Sequence, residues 1–338
     1  MLLAPIAALL SISDVGTGTG TGTGTFVDVI DTHVHNADVD HLPYTFAASF
    51  PDLARNWTIN DFAAAAAAPP SPLRVRGALL MSLEMDEAHQ NFGTFLQEAR
   101  WFQATADRCN AAPPPAGCVP IAGIVAGGLL GAPASQLGAY LAELRRTAPA
   151  VRGIRQPLWK HNASFFLAPA FAAGARALGA ANLTFDLLVR SAQLPDVAKL
   201  CAAAPGTLFN LNHLGYPNVS GGGAGSAGFD AWASGLAALA ALPNVHAKLS
   251  GLPQAFGTTG WTAADFAPFV AEALAVFGPE RVNFAGNWFI LDEAKWGGTY
   301  TAMGAAVLQA LALAKVSPRD QARVFVHNAV RLYRLEPL

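Results

Sequence analysis

Charged side chains are scarce in this sequence. Lys, Arg, Asp and Glu together make up 13% of the 338 residues, roughly half the usual share, with 21 basic and 23 acidic residues. A formal net charge of −2 provides no basic stripe for nucleic acid and no basic run for a membrane surface. We therefore expect neither nucleic acid nor a membrane as a partner, while homo-oligomerisation stays open.

Cysteine is sparse as well, with Cys109, Cys118 and Cys201 as the three positions. An odd and small set excludes a disulfide framework as the basis of the fold. Free thiols in a reducing cytosol are the expectation, and with them a cytoplasmic location. The alternative is a bond between Cys109 and Cys118, which flank a proline-rich loop, in an oxidising compartment.

After residue 25, the sequence has no hydrophobic run long enough to span a bilayer. Residues 1–10 are apolar but too short to span a bilayer, and they lack the positive charges of a signal peptide. Residues 16–25 alternate Gly and Thr and offer no apolar surface to bury. The sequence predicts a flexible leader over residues 1–25, whose targeting role is open, and a single domain over 26–338.

Short apolar runs, several of them β-branched or aromatic, alternate along this domain with Ala- and Leu-rich segments of helical character. Strands that alternate with helices imply parallel pairing through crossover helices. Eight such units predict an α/β fold of the (β/α)8 TIM barrel type, with an open doubly wound sheet as the alternative. The eight runs cover residues 26–32, 75–83, 119–126, 151–155, 183–189, 208–212, 245–249 and 282–285.

Three histidines follow the predicted strands. His33 and His35 stand at i and i+2 after the first strand, so both imidazoles point to one face. At the carboxyl end of a barrel strand, that face belongs to the mouth where barrel enzymes carry their active sites. His213 closes the sixth strand and would share the same mouth. Such imidazoles can bind one metal ion or one substrate oxygen.

Two other polar residues stand at or near strand ends. Lys248 lies on the seventh strand, where an unpaired ammonium is costly to bury. It either reaches the polar mouth, where it would bind substrate, or pairs with a carboxylate. Asn287 follows the eighth strand and would lie at the mouth.

Taken together, the motifs resemble the amidohydrolase superfamily, in particular its lactonase-like branch of fuconolactonase-type and pyrone-dicarboxylate lactonase-type enzymes. The resemblance extends from about residue 26 to 335, and the order and spacing of the motifs make it specific. The motifs are His33-Val34-His35, Val151-Arg152-Gly153-Ile154-Arg155, Phe185-Asp186-Leu187, Asn212-His213-Leu214-Gly215, Lys248-Leu249-Ser250-Gly251-Leu252 and His327-Asn328-Ala329-Val330-Arg331-Leu332-Tyr333.

The resemblance implies a role for each matched residue. His33 and His35 would bind a metal or polarise the scissile carbonyl, with His213 assisting from the sixth strand. Arg155 would meet a substrate carboxylate or hydroxyl, or else form a salt bridge to a neighbouring acid. Glu84, after the second strand, would orient the substrate or be an ordinary loop acid.

The sequence departs from the hydrolytic members of this family at two places. They carry an aspartate as general base where this chain has Asn287, and an amide cannot take a proton near neutral pH. No histidine stands on the fifth strand, which argues against a binuclear metal site. Three neutral imidazoles and a neutral amide offset none of the charge of a dication. We therefore expect either no cofactor or a single, weakly held divalent metal at His33, His35 and His213, zinc being the most plausible.

The resulting hypothesis is a hydrolase that acts on a small cyclic ester (a lactone) or a related carbonyl substrate. Water would attack the carbonyl, His33 and His35 would stabilise the oxyanion directly or through one metal, and a histidine would move the protons. A decarboxylase of the same superfamily is one alternative. A catalytically decayed barrel that binds a small molecule is the other, and Asn287 is the residue that motivates it.

Overall fold

The computed structural model describes residues 26–217, 219, 223–292 and 296–336. The predicted leader, residues 1–25, lies outside the described residues. So does part of the glycine-rich loop after Pro217, which the sequence predicts to be a mobile excursion at the barrel mouth.

Eight parallel strands pair in sequence order from β1 to β8. Each predicted run overlaps one strand, which confirms the (β/α)8 barrel. The ring closes where Val34 and Trp288 form a parallel bridge and the amide of His35 donates to the Trp288 carbonyl at 2.8 Å. The strands are β1 (Val27–Val34), β2 (Leu73–Met81), β3 (Ile121–Gly127), β4 (Val151–Pro157), β5 (Thr184–Leu188), β6 (Phe209–Leu211), β7 (Val245–Leu249) and β8 (Val282–Phe284).

Helices cover the outside of the barrel and connect successive strands. A helix begins at Pro318, where proline lacks an amide that the first turn would leave unpaired anyway. The helices are α1 (Thr45–Ser49), α2 (Ile59–Ala67), α3 (Phe92–Cys109), α4 (Ala134–Thr147), α5 (Ala163–Phe166), α6 (Pro169–Ala180), α7 (Leu194–Ala203), α8 (Ala227–Ala240), α9 (Leu252–Phe256), α10 (Ala263–Phe277), α11 (Tyr300–Leu313), α12 (Pro318–Ala322) and α13 (Asn328–Tyr333).

Helix α13 closes the amino end of the barrel. The Asn328 side chain donates to the carbonyls of Pro279 and Val282 at 2.7 Å each, at the start of β8. Apolar side chains of β1 to β3 pack on the same helix and bury its inner face. The packed residues are Ile30, Leu79, Met81, Val125, Ala329, Leu332, Tyr333 and Leu335.

The cysteines differ from the expectation of free thiols. Cys109, at the end of α3, is bonded to Cys118, and Cys201 is free and buried. Composition could not decide this, because the bond depends on α3 ending beside the segment that enters β3. Within the described ranges, no helix is both long and apolar enough to cross a bilayer.

Reduction of the Cys109–Cys118 bond is expected to lower the free energy of unfolding by about 2–3 kcal/mol, because the bond limits the conformations of the unfolded chain. Urea denaturation with and without reductant measures the change. The double variant Cys109→Ala/Cys118→Ala serves as control and should not respond to reductant. An equal response of native protein and double variant would contradict the assignment.

Candidate active site

His33, His35 and His213 meet at the carboxyl end of the barrel. The Nε2 atoms of His33 and His35 are 3.1 Å apart, and the ring centroids of His33 and His213 are 4.6 Å apart. All three side chains are buried. The structure therefore brings together the three histidines that the sequence singles out, while their catalytic roles stay predictions.

The turn after β6 sets the position of His213. His213, Leu214 and Tyr216 adopt left-handed backbone conformations, with φ of 57°, 51° and 49°. Such conformations cost non-glycine residues on the order of 1–3 kcal/mol each, and they concentrate at functional sites. Gly251 faces this turn, and a Cβ added there would lie 2.4 Å from the Cβ of His213. The glycine in the motif after β7 is thus required by the close approach of His213.

Ser250 anchors the His213 ring. Its hydroxyl lies 2.8 Å from Nδ1 of His213, which leaves the other ring nitrogen, Nε2, on the opposite edge of the imidazole. The Tyr216 ring lies beside the same imidazole, with centroids 4.9 Å apart. Burial raises the pKa of Tyr216 to about 12, against the opposing effect of Arg155, so its hydroxyl stays protonated.

Lys248 lies beneath the histidines and pairs with a carboxylate. Its Nζ atom is 2.5 Å from Oδ1 of Asp186, donates to the Thr32 carbonyl at 3.0 Å and lies 3.4 Å from Nδ1 of His33. The side chains of Lys248 and Asp186 are both fully buried. Of the two alternatives open at the sequence level, pairing with a carboxylate is the one observed. The ammonium also lies against His33, and the contact of Lys248 with substrate stays a prediction.

The Lys248–Asp186 pair belongs to a polar layer inside the barrel. The Tyr333 hydroxyl donates to Oδ1 of Asp186 at 2.8 Å, and Nδ2 of Asn210 donates to that hydroxyl at 2.9 Å. Tyr333 comes from α13, at the amino end of the barrel. A continuous set of hydrogen bonds thus joins the closing helix to the base of the histidine cluster.

Arg155 reaches the cluster from β4. Its Nη1 donates to the Ser82 carbonyl, and Nε has no partner among the described residues. Within that part of the chain no carboxylate lies in ion-pair contact with Arg155, so the alternative of a salt bridge to a neighbouring acid is not observed. A buried guanidinium with a spare donor is suited to an oxygen-rich substrate.

Glu84 is held by two neighbours from the segment after β4. It accepts from Nε1 of Trp159 at 3.2 Å and pairs with Lys160 at 2.8 Å. The side chain lines a small pocket together with Arg155, Ser82 and Gln156. Its orienting role toward substrate stays a prediction.

Glu98 supports the end of β2 from behind. This buried side chain of α3 accepts from the Ser82 hydroxyl and from the Leu83 amide, and burial raises its pKa to about 7. Ser82 also provides the carbonyl that holds Arg155. Glu98 is not among the residues that the sequence motifs single out. Its signal in the sequence is an acidic residue on the apolar face of a helix, between Phe95 and Phe102.

Asn287 lies at the mouth, as the sequence predicts. Its backbone is left-handed, with φ of 56°, and its buried Nδ2 has no partner among the described residues. Its side chain lies near His35 and acts to raise the pKa of His35. An amide at this place can orient water or substrate but cannot take a proton.

The three imidazoles are neutral at neutral pH. Burial is the largest cause that lowers the pKa of His33, His35 and His213 well below 6.5. The positive charges of Lys248 and Arg155 lower these pKa values further. A neutral imidazole can accept a proton or donate its single N–H, and both are useful in acyl transfer.

A divalent metal fits this donor set poorly. Two imidazole nitrogens converge, but no group of three or more His, Cys, Asp or Glu side chains within the described residues is arranged to hold a metal. The ammonium of Lys248 and the guanidinium of Arg155 add positive charge beside the imidazoles. The expectation of no metal, or of a single weakly held ion at His33, His35 and His213, stays a prediction.

Dialysis against a chelator is expected to leave less than one zinc in ten protein molecules. The physical reason is that neutral ligands near two cations cannot offset the charge of the ion. Elemental analysis before and after dialysis gives the stoichiometry. Zinc retained at one equivalent, or activity lost with the metal and regained on its addition, would contradict this prediction.

Comparison with known proteins identifies relatives. Residues 30–335 match the family model described as Amidohydrolase. An L-fucono-1,5-lactonase of Burkholderia multivorans is 32% identical over 208 residues, which cover 60% of this chain and 68% of that protein. An L-fucono-1,5-lactonase of Burkholderia ambifaria is 30% identical over 167 residues, which cover 47% of this chain and 53% of that protein, about half its length.

Solved structures agree with this result. A crystal structure of an amidohydrolase from Burkholderia multivorans with bound HEPES has a TM-score of 0.73 at 25% identity and covers 92% of this chain and 100% of its own. A 2,6-dihydroxybenzoate decarboxylase, at 15% identity and a TM-score of 0.56 over 91% of this chain and 99% of its own, shares the fold. The resemblance drawn from the sequence motifs is confirmed: the chain belongs to the amidohydrolase family.

Proposed function

We propose that this chain is an enzyme that hydrolyses small cyclic esters (lactones) at the cluster of His33, His35 and His213. The single observation that carries the proposal is the convergence of these three neutral imidazoles with Arg155 at the mouth of the barrel. The L-fucono-1,5-lactonases among the relatives support the substrate class. The substrate is a small molecule; homo-oligomerisation remains a prediction.

In this reaction His33, His213 and Arg155 have separate roles. The N–H of a neutral His33 stabilises the negative charge that develops on the carbonyl oxygen. His213 takes a proton from the attacking water through Nε2, in the tautomer whose Nδ1–H donates to the Ser250 hydroxyl. The ring C–O bond then breaks, and the imidazolium returns the proton to the leaving alkoxide. The product is a hydroxy acid, and Arg155 holds a hydroxyl or carboxylate of the substrate.

The presence of Asn287 supports a second candidate function, which is binding of small molecules without turnover. Removing a general base typically costs about 10²–10⁴ in rate, so an amide in place of the family's aspartate is compatible with a barrel that binds small molecules without turnover. The decarboxylase alternative has fold-level likeness alone in its favour.

The three hypotheses differ in their products. Purified full-length protein should release one acid equivalent per molecule from members of a panel of 1,5- and 1,4-lactones, faster than buffer alone. A His33→Gln variant should lack this activity. Release of CO₂ from aromatic carboxylic acids would support the decarboxylase, and saturable lactone binding without acid release would support the decayed barrel. Either result would overturn the proposal.

Asn287→Asp is expected to shift the acidic limb of the pH–rate profile to higher pH and not to raise the maximal rate. The new carboxylate would lie beside His35, where a negative charge stabilises imidazolium and raises the histidine pKa values. More protonated histidine leaves less neutral base at a given pH. The variant Asn287→Ser separates the loss of the amide from the gain of charge. Native protein that is inactive on every lactone and becomes active as Asn287→Asp would contradict a histidine base.

The cytoplasmic location also stays a prediction. This location was expected because the cysteines were predicted to be free thiols. The Cys109–Cys118 bond no longer supports it, since a reducing cytosol keeps most thiols reduced. Alkylation of thiols in intact cells, followed by mass analysis of the peptide that contains both cysteines, would test it. Labelled Cys109 and Cys118 would support the cytoplasm, and an unlabelled, bonded pair an oxidising compartment.

A further inference from the structure

A line of hydrogen bonds runs from the end of β2, through two histidines, to the buried ion pair. It joins the Met81 carbonyl, His35, His33 and Lys248, and it continues to Asp186. The ammonium of Lys248 lies 3.4 Å from Nδ1 of His33 and disfavours a second positive charge in the line, so each ring has one N–H and one bare nitrogen. The partners of the two outer ends are therefore enough to assign both tautomers.

The first assignment is at His35. Its Nδ1 lies 2.8 Å from the Met81 carbonyl oxygen, which can accept a hydrogen bond and cannot donate one. Nδ1 of His35 therefore carries the hydrogen. In the neutral ring, Nε2 of His35 is left bare and acts as an acceptor.

The second assignment follows at His33. Its Nε2 lies 3.1 Å from the bare Nε2 of His35, so His33 must donate, and its hydrogen is on Nε2. Nδ1 of His33 is then bare and faces the ammonium of Lys248 at 3.4 Å. An ammonium has donors and no acceptor, so it favours this tautomer over the opposite one, which would direct an N–H at another N–H.

The ion pair holds that ammonium in place. The three hydrogens of Nζ have three acceptors: Oδ1 of Asp186, the Thr32 carbonyl and Nδ1 of His33. The Tyr333 hydroxyl fixes Asp186 from the far side. With no exposed surface on either member of the pair, the direction of the donor does not depend on solvent.

We propose that Lys248 and Asp186 are a positioning pair that fixes the tautomers of His33 and His35. His33 then carries its hydrogen on Nε2, where a substrate carbonyl oxygen can replace His35 as the acceptor, and His213 is left to act as the base. This inference rests on the proposed function for its catalytic consequence. The tautomer assignment itself does not, because it follows from the hydrogen-bond partners.

Imidazole nitrogen NMR of the full-length protein labelled with ¹⁵N-histidine tests the assignment directly. Protonated and bare ring nitrogens give distinct signals, and single His→Gln variants identify the rings. We expect Nε2–H for His33 and Nδ1–H for His35 in the native protein at pH 7. Nδ1–H or imidazolium at His33 would overturn the proposal, whether or not the protein hydrolyses lactones.

The variant Lys248→Met/Asp186→Asn removes both charges and so leaves no unpaired ion in the barrel. We expect mixed tautomers at His33 and a fall in kcat of roughly 10–100-fold with KM changed less, the size of effect typical of residues that orient a functional side chain.

Tyr333→Phe is the control: it disturbs the same polar layer but leaves the contact between Lys248 and His33, so His33 should keep its native signals. Native signals for His33 in the double variant, or equal changes in both variants, would overturn the proposal. If the double variant does not fold, the tautomers of the native protein decide.

The two proposals can fail separately. The expected tautomers in a protein that opens no lactone would refute the proposed function and leave the assignment standing. Lactone turnover with the opposite tautomer at His33 would refute the positioning pair and leave the function standing.

Discussion

His213→Asn is expected to lower kcat for lactone opening by about 10²–10⁴-fold, the usual loss when a general base is removed. The ring nitrogens of His33 and His35 contact each other, Met81 and Lys248. His213 is the third imidazole of the cluster and remains available as the base. Asparagine cannot take the proton from water. KM should change much less than kcat, because Arg155 and the other histidines remain.

Asparagine is chosen so that the variant folds. Position 213 has a left-handed backbone, with φ of 57°, and asparagine is among the residues that tolerate this region best. His246→Asn is the matched control, because His246 lies on β7 near Arg281 and Arg331, apart from the cluster, and burial with their charges lowers its pKa to about 4. Steady-state acid release measures both variants. Activity of His213→Asn within threefold of the control would contradict a base role for His213.

Lys248→Met is expected to lower the free energy of unfolding by about 3–5 kcal/mol, because it leaves the Asp186 carboxylate buried without its partner. Lys248→Met/Asp186→Asn should lose less than the sum of the two single variants, since no uncompensated charge remains. The difference is the coupling energy of the pair.

The exposed pair of Lys199 and Asp196 provides the comparison. Its charged atoms are 2.7 Å apart, close to the separation in the buried pair, but the Lys199 side chain is mostly exposed. Lys199→Met should change the free energy of unfolding by less than about 1 kcal/mol. Urea unfolding of all variants at pH 7 gives the values. Equal losses for Lys248→Met and Lys199→Met would contradict the role of burial.

The alternation of strands and helices was sufficient to predict the barrel. Hydrophobic periodicity indicates which residues are buried, and every one of the eight predicted runs overlaps a strand. This includes β6 and β8, which have three residues each. The spacing of His33 and His35 was equally informative, because alternation within a strand fixes the face of each side chain. Chain order then placed His213 at the same mouth.

The sequence pattern did not predict contacts between distant segments. Whether Lys248 reaches the mouth or pairs with a carboxylate depends on which side chain of β5 faces the barrel interior, and Asp186 does so. The Cys109–Cys118 bond depends on where α3 ends. Glu98 supports Arg155 through Ser82, at the end of a different strand. Such relations are set by tertiary packing, which a local pattern does not contain.

Ring opening in H₂¹⁸O is the most direct test of water attack at a lactone carbonyl. We expect one ¹⁸O to enter the carboxylate of the product and none to enter its hydroxyl, at a rate above that of the uncatalysed reaction. Mass spectrometry of product fragments locates the label. A label in the hydroxyl group, or lactone that binds but stays closed, would contradict the account.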